Sequence, residues 1–349
     1  MSETLHVAVP GALDQPTGGY RYDAALVRAL RNRGWQVVVH ELPGCHPLPD
    51  PPAVAGAERT LAAAAGSTLV VDGLCLPAFA RTTCAGVRLV ALIHHRLTRE
   101  TGTPAASIAP LVRLERDGLQ RAQLIICTSA ATAADLQRAY GLPSPPLVAP
   151  PAIETTAPRT PWARAPRRLL AVGALVPRKD VLLLIEALAP LRHLPWRLDI
   201  VGDDSRHPAY ARRVRSRCRR HRLVGRIRLH GAIADWRRRR LLRQADLLLA
   251  ASRHEGYGMA VAEAAAAGLP ILATATAAVP AVFAAAAVTR VPARDRLAMT
   301  QALAVRAPAA WAPRYRRARR HAPRWATHDP AACIAPALCA LARPRVIGA

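Results

Sequence analysis

RLLAVGALVPRKDVLLLIEALAP, residues 168–190, reads as a short apolar strand over 168–172, a glycine-led turn and a helix over 180–190. Directly upstream the chain cannot be regular. Proline stands at 143, 145, 146, 150, 151, 158, 161 and 166, a density that excludes a helix and marks a linker between domains. Before that linker the same alternation has already run once. Strand-like runs lie at 5–9 (LHVAV), 35–39 (WQVVV), 68–71 (TLVV), 87–93 (VRLVALI) and 123–127 (QLIIC), with helix-length segments at 20–33, 53–65, 105–121 and 130–140. After 168–190 it continues with strands at 196–201, 226–230, 246–250 and 270–273, and helices at 208–221, 235–244 and 258–267. Short, continuously apolar strands separated by helices indicate parallel sheets covered on both faces. The reading is therefore α/β, with two Rossmann-like doubly wound domains facing an interdomain cleft: 1–150, a linker at 151–166, and 167–325. A tail at 326–349 is too short for a third domain and is expected to pack back on the first.

The chain has 349 residues, enough for two such domains of roughly 150 residues each. Apolar residues make up 51%, yet there are only two Phe, six Tyr and six Trp, so the cores must be filled by small aliphatic side chains. The charge is lopsided, with 49 basic against 23 acidic residues and a net +26. Arginine runs at 212–222, 237–240 and 314–324 read first as solvated helix faces; the functional alternative is an anionic partner such as nucleic acid, a phosphorylated substrate or, by peripheral contact, an anionic membrane. Aromatic residues are too sparse among them for a nucleic-acid binder. Seven scattered cysteines contain no C-x-x-C pair, which disfavours a disulfide framework or a zinc site and favours a reducing, cytoplasmic setting. No signal-peptide pattern opens the chain. Residues 264–289 are uncharged, but their Ala-rich composition with Pro270 and Pro280 suits buried elements better than a membrane span.

Four groups of residues carry chemistry. The loop 10–19 (PGALDQPTGG) ends in Gly18 and Gly19 at a helix start, where backbone amides favour anions, but it lacks the G-x-G-x-x-G dinucleotide fingerprint. A nicotinamide dehydrogenase is correspondingly disfavoured. Lys179, with Arg178 beside it, sits in a strand-to-helix turn where a phosphate would rest, and it is the chain's one lysine against 48 arginines. In HEGYGMAVAEAAAAGLP, residues 254–270, Glu255 can accept hydrogen bonds from sugar hydroxyls. The amides of Gly256, Tyr257 and Gly258 point where a diphosphate could rest, and Glu263, eight residues on, could take a ribose diol. Glu263 lies among apolar neighbours, where an unpaired carboxylate is costly. His94 directly follows a strand and faces the ligand end of such a sheet.

At these residues the chain resembles the family 4 retaining glycosyltransferases, whose GT-B architecture pairs two Rossmann-like domains. The likeness runs from TGGYRYD (17–23) to about residue 305. It is carried by Glu255 and Glu263 with their EGYG turn, by the PRK segment and by the element order. HHRLTRETG (94–102) and LPWRLDIVGDDSRHPAY (194–210) further resemble a bacterial subgroup of unassigned substrate. The resemblance implies a metal-independent hexosyltransferase with no cofactor beyond its nucleotide-sugar co-substrate. The donor would be a UDP- or GDP-sugar and the acceptor a carbohydrate or a lipid-linked group. It makes Lys179, Glu255 and His94 catalytic, and places Arg178, Gly173, Gly256, Tyr257, Gly258 and Glu263 at the donor. Gly18 and Gly19 would line the acceptor side. Four positions depart from the family: Ala174 where an arginine often follows the glycine, Asp180 in place of glycine after the lysine, Ala277 in place of glycine, and Arg96 where the subgroup often has proline. These motivate an alternative, a nucleotide-sugar-binding homologue with weak or no turnover. On fold grounds a non-hydrolysing sugar-nucleotide epimerase stays a minor alternative.

Overall fold

The computed structural model describes residues 4–83, 86–100, 104–153, 165–275, 288–305, 308–321 and 329–342. They divide into two compact units: the described parts of Met1–Gln15, Gly19–Ala152 and Asp329–Ala349, and those of Pro16–Gly18 and Ile153–His328. The first half runs β1 (Thr4–Pro10), α1 (Gly18–Asn32), β2 (Gln36–Leu42), α2 (Pro51–Ala63), β3 (Thr68–Asp72) and α3 (Leu76–Phe79). It continues with β4 (Arg88–Ile93), a 3-10 turn at Leu97–Arg99, α4 (Ala105–Arg121), β5 (Leu124–Cys127), α5 (Ala130–Tyr140) and β6 (Leu147–Val148). The second half runs β7 (Arg168–Val172), a 3-10 turn at Pro177–Lys179, α6 (Val181–Leu188), β8 (Arg197–Val201), α7 (Pro208–Arg220), β9 (Ile227–Leu229) and α8 (Asp235–Gln244). Then come β10 (Leu247–Ala250), α9 (Met259–Ala266), β11 (Ile271–Thr274), β12 (Val288–Val291), α10 (Arg296–Ala304), α11 (Pro308–His321) and α12 (Pro330–Ala342).

Each unit holds one six-stranded sheet, ordered β2-β1-β3-β4-β5-β6 in the first and β12-β11-β10-β7-β8-β9 in the second. The assigned strand pairs are all parallel. The strand order reverses between β1 and β3 in one sheet and between β7 and β10 in the other. At such points the connections leave in opposite directions and open a crevice at the strand C-termini.

The first sheet has a core on each face. One packs Ala57, Leu61, Phe79, Leu119 and Leu136 of α2 to α5 against the strands. The other packs Tyr22, Leu26 and Leu30 of α1 together with Ala331, Ile334 and Leu338 of α12. The returning α12 is thus the second helix on a face that α1 alone leaves partly open. Helix ends follow their chemistry: Asp50 caps α2 through the Ala53 amide, Ser129 caps α5 through Thr132, and Gly141 closes α5 at φ 61°.

The second sheet is covered on one face by Leu184, Leu188, Tyr210, Val214, Met299 and Trp311, and on the other by Leu242, Val261, Ala265 and Leu269. The aliphatic filling expected from composition is what these layers contain. The helix expected at 180–190 is shorter, because Asp180 takes a left-handed conformation at φ 43° and separates the 3-10 turn from α6. Of the uncharged stretch 264–289, the described residues form the end of α9 and strand β11, and no helix among the described residues is long and apolar enough to cross a membrane. Ala277 lies outside the described residues.

Candidate active site

In the second unit the ends of β7 and β10, the two strands at the order reversal, are lined by glycine and by charged side chains. The Gly173 amide donates to the Val201 carbonyl at 2.8 Å. A Cβ on Gly173 would stand 3.0 Å from Cε of Lys179, so the absent side chain is what lets the lysine stem lie across the strand end. The 3-10 turn that carries Arg178 and Lys179 aims both toward the loop after β10. Lys179 Nζ donates to Glu255 Oε1 at 2.6 Å, and Arg178 Nη1 lies 3.5 Å from Glu255 Oε2 while donating to the His254 carbonyl at 3.1 Å. Ser252 donates its hydroxyl to the same Glu255 Oε1. Burial alone would raise the Glu255 carboxyl, but the charges of Lys179 and Arg178 and the hydrogen bonds from Lys179 and Ser252 outweigh it and bring it down to about 2. Gly173, Lys179, Ser252, Glu255, Gly258 and Val261 line one pocket.

Two departures from the family now have physical content. Asp180 keeps the left-handed backbone a glycine would adopt, and its carboxylate is turned away from the lysine onto Arg253 Nε at 2.8 Å. Arg178 reaches the same carboxylate as Lys179, so a second cation stands at this strand end although residue 174 is alanine.

Gly256 and Gly258 are buried and Tyr257 is half-buried. Burial pushes the Tyr257 phenol up to about 12. Gly258, at φ 84°, begins α9, whose first turn directs backbone amides toward the pocket end of the helix. Glu263 is placed differently from its sequence neighbours. It is 6% exposed, as its apolar surroundings imply, but it is paired with Arg238 of α8, which also holds Asp235. Its burial is therefore compensated within the fold, and it is absent from the pocket lining. Arg238 stood unremarked inside the run 237–240.

In the first unit, His94 follows β4 and is held by two acids that sequence reasoning did not single out. His94 Nε2 lies 3.0 Å from Asp23 Oδ1 on α1 and 3.1 Å from Asp72 Oδ2 at the end of β3. Burial works against a charged His94, yet the charge of Asp23 and hydrogen bonds to both carboxylates raise it to about 10. Burial, with Asp72 adding and His94 opposing, lifts Asp23 to about 7. Burial also opposes an ionised Asp72, but its hydrogen bond and charge contact with His94 keep it low. The one signal available in the sequence was that both acids sit within a turn of sheet-edge motifs, in TGGYRYD and VVDG.

Gly18 and Gly19 open α1. A Cβ on Gly19 would come 3.3 Å from Cδ2 of His94, so this glycine is fixed by the approach of the imidazole. The segment after His94 is braced by Arg96 and Arg99 on Asp135, by His95 on Glu100, and by Glu115, which accepts the Leu97 amide at 2.9 Å. Among the described residues, Asp23, Asp72 and His94 are the group spaced closely enough to hold a metal ion.

Two parallel doubly wound sheets, the second with a cationic, glycine-lined strand end, place the chain in the α/β class. Two family models match the chain, Glycosyltransferase Family 4 over residues 66–157 and Glycosyl transferases group 1 over residues 166–305. The chain belongs to the family 4 glycosyltransferases and has their GT-B fold. No curated protein sequence matches it. Among solved structures it is similar to a sucrose-phosphate synthase from Thermosynechococcus elongatus, at 18% identity and a TM-score of 0.78, covering 97% of this chain and 98% of that one. HepE from Anabaena, in complex with UDP and glucose, gives 17% identity and a TM-score of 0.76 over 97% of this chain and 100% of that one. WaaG, a glycosyltransferase involved in lipopolysaccharide biosynthesis, gives 19% and 0.72 over 97% and 99%.

Proposed function

We propose that this glycosyltransferase moves a hexose from a nucleoside-diphosphate sugar to a carbohydrate or lipid-linked acceptor with retention of anomeric configuration, and that it needs no metal. The carrying observation is the pairing of Lys179 and Arg178 with the buried Glu255 at the strand-order reversal of the second sheet. Breaking the bond from sugar to diphosphate develops negative charge on the leaving phosphate and positive charge on the sugar carbon. Cations held at the phosphate and a carboxylate held ionised near the ring oppose both changes, and do so without reorganisation because the fold has already placed them. Glu255, kept ionised by its neighbours, is suited to hold sugar hydroxyls and poorly suited to donate a proton. In this reading the acceptor attacks on the leaving-group face and the departing phosphate oxygen takes its proton, so no side chain is needed as base. Lys179 and Arg178 fill the role a divalent cation would have at the diphosphate. Gly173, Gly256, Tyr257, Gly258 and Glu263 belong with the donor, and Gly18, Gly19 and His94 with the sugar and acceptor.

UDP is the first nucleotide to try, since HepE is seen with UDP and glucose and a TarM structure also holds UDP. The seven scattered cysteines, with no C-x-x-C pair, favour a reducing, cytoplasmic setting. The outward arginines of α7 favour peripheral contact with an anionic membrane. A panel of UDP- and GDP-sugars screened by thermal shift, followed by proton NMR of the product, tests the reading. One donor should raise the melting temperature, the product anomer should match the donor, and EDTA should leave the rate unchanged. An inverted product, or a rate lost in EDTA and restored by magnesium or manganese, would contradict it.

A further inference from the structure

The turn after β4 sets two arginines on one carboxylate. Arg99 holds Asp135 of α5 through a parallel pair of bonds, Nε to Oδ2 at 3.1 Å and Nη2 to Oδ1 at 2.7 Å. That fork-to-carboxylate pairing needs no second cation, and hydrogen bonding from Arg99 already holds Asp135 below the ordinary carboxylate range. Arg96 is nevertheless directed at the same atom, its Nε 3.1 Å from Oδ2. The backbone does not ask for arginine there. Residue 96 has φ −63° and ψ 133°, angles that proline adopts unaided, and its amide donates to no acceptor among the described residues. What arginine adds is a second guanidinium, and the acids around it balance it only in part. Glu115 stands near Arg96, but burial lifts its carboxyl to about 7, and Glu100 is engaged by His95. Both Nη groups of Arg96 and Nη1 of Arg99 have no acceptor among the described residues, and the Arg99 side chain is 44% exposed. Thr98, in the turn between the two, keeps a buried hydroxyl with no hydrogen-bond partner among the described residues.

The pair stands at the ligand end of the first sheet. Both arginines follow β4 at the C-terminal edge, where doubly wound sheets take their ligands. Asp135 lies one helical turn along α5 from Thr132, whose hydroxyl reaches the His94 carbonyl at 3.4 Å. A planar guanidinium with unspent N–H groups is matched by an oxyanion, which a phosphate or a carboxylate supplies. We propose that Arg96 and Arg99 form a subsite for an oxyanion carried by the acceptor, so that the acceptor is an anionic sugar or a lipid-linked phosphate and not a neutral carbohydrate. This rests on the function proposed above, in which the first unit takes the acceptor. The donor diphosphate has Lys179 and Arg178 in the second unit, so an oxyanion bound in the first belongs to the other substrate.

The test is calorimetric binding, to the full-length protein, of glucose 6-phosphate, glucuronic acid and undecaprenyl phosphate in detergent micelles, with glucose as the neutral reference. At least one anionic compound should bind about tenfold or more tightly than glucose, and which one does so separates a soluble phosphate, a carboxylate and a lipid-linked source. Its affinity should fall about 10- to 100-fold in Arg99→Gln, through loss of charge-assisted contacts, and stay unchanged in Lys179→Ala. Arg96→Pro keeps the backbone angles and leaves Arg99 on Asp135. It should weaken the same binding, and it carries the test alone should Arg99→Gln fail to fold. Anions bound no better than glucose, or binding lost in Lys179→Ala but retained in both arginine variants, would overturn the proposal. A lowered melting temperature in the arginine variants with an unchanged preference for the anion would mark a structural brace and overturn it equally. No turnover is needed for these readings. Failure of the proposed function would show as a protein that binds no nucleotide sugar; failure of this subsite, as an intact donor site with no preference for an anionic acceptor.

Discussion

Glu255 is a buried carboxylate with three donors around it, and Lys179 is the chain's one lysine. That the two would meet was legible in the sequence only as a pair of turns following two strands; the 2.6 Å contact comes from the order of those strands. Glu263 shows the reverse. Its burial was legible from its alanine-rich surroundings, but the partner that satisfies it, Arg238, was hidden in a run of like residues that reads as solvated surface. Asp23 and Asp72 were illegible for a related reason, since a carboxylate acquires its role from a histidine 71 residues from Asp23 along the chain. A residue-scale prediction follows from Glu255. Its folded carboxyl lies at about 2, below the ordinary value of 4.5, so it contributes stability that is present above about pH 4.5 and lost as pH falls toward 2. Denaturant titrations from pH 7 to pH 3 should therefore show the stability difference between native protein and Glu255→Gln shrinking below pH 4.5. A difference that stays constant or widens in acid would contradict this account of the pair.

At the level of elements, most strands and helices up to β11 were legible because each is short, apolar and bounded by glycine, proline or a capping side chain. The sequence reading missed α3, β6, β12, α10, α11 and α12. β6 has two residues and lies in the proline-rich stretch, where no period can be read. α12 is alanine-rich with Pro336 inside it, so it carries little contrast between faces. Its packing makes it indispensable all the same: Ala331, Ile334 and Leu338 are fully buried against the first sheet, and Arg33 pairs with Asp329 just ahead of the helix. Truncating Ile334 to alanine leaves a cavity in a face served by only two helices. Ile334→Ala should lower unfolding stability by about 2–5 kcal/mol in denaturant titration. A loss below 1 kcal/mol would mean that α12 is not part of that core.

For the whole molecule, the alternation of strands and helices states that two parallel sheets exist but not how their strands are ordered. That order decides the site. In the second sheet β7 lies beside β10, bringing Gly173 and Lys179 up to Ser252 and Glu255 across about 76 residues of chain. In the first, β3 lies beside β1 and β4, so that Asp72 and His94 share an edge. The net charge of +26 adds a general attraction for anions, but Lys179 and Arg178 stand together against the buried Glu255 at a strand-order reversal. A nucleoside diphosphate should accordingly bind through those two cations and not through the arginine-rich surface. Calorimetric titration of UDP and GDP into the native protein and Lys179→Ala, at physiological ionic strength, measures this directly. One of the two nucleotides should bind the native protein and bind Lys179→Ala about 10- to 100-fold more weakly, the loss of one charge-assisted contact. Equal affinity in the two proteins, or no binding of either nucleotide to the native one, would contradict the assignment of the donor site.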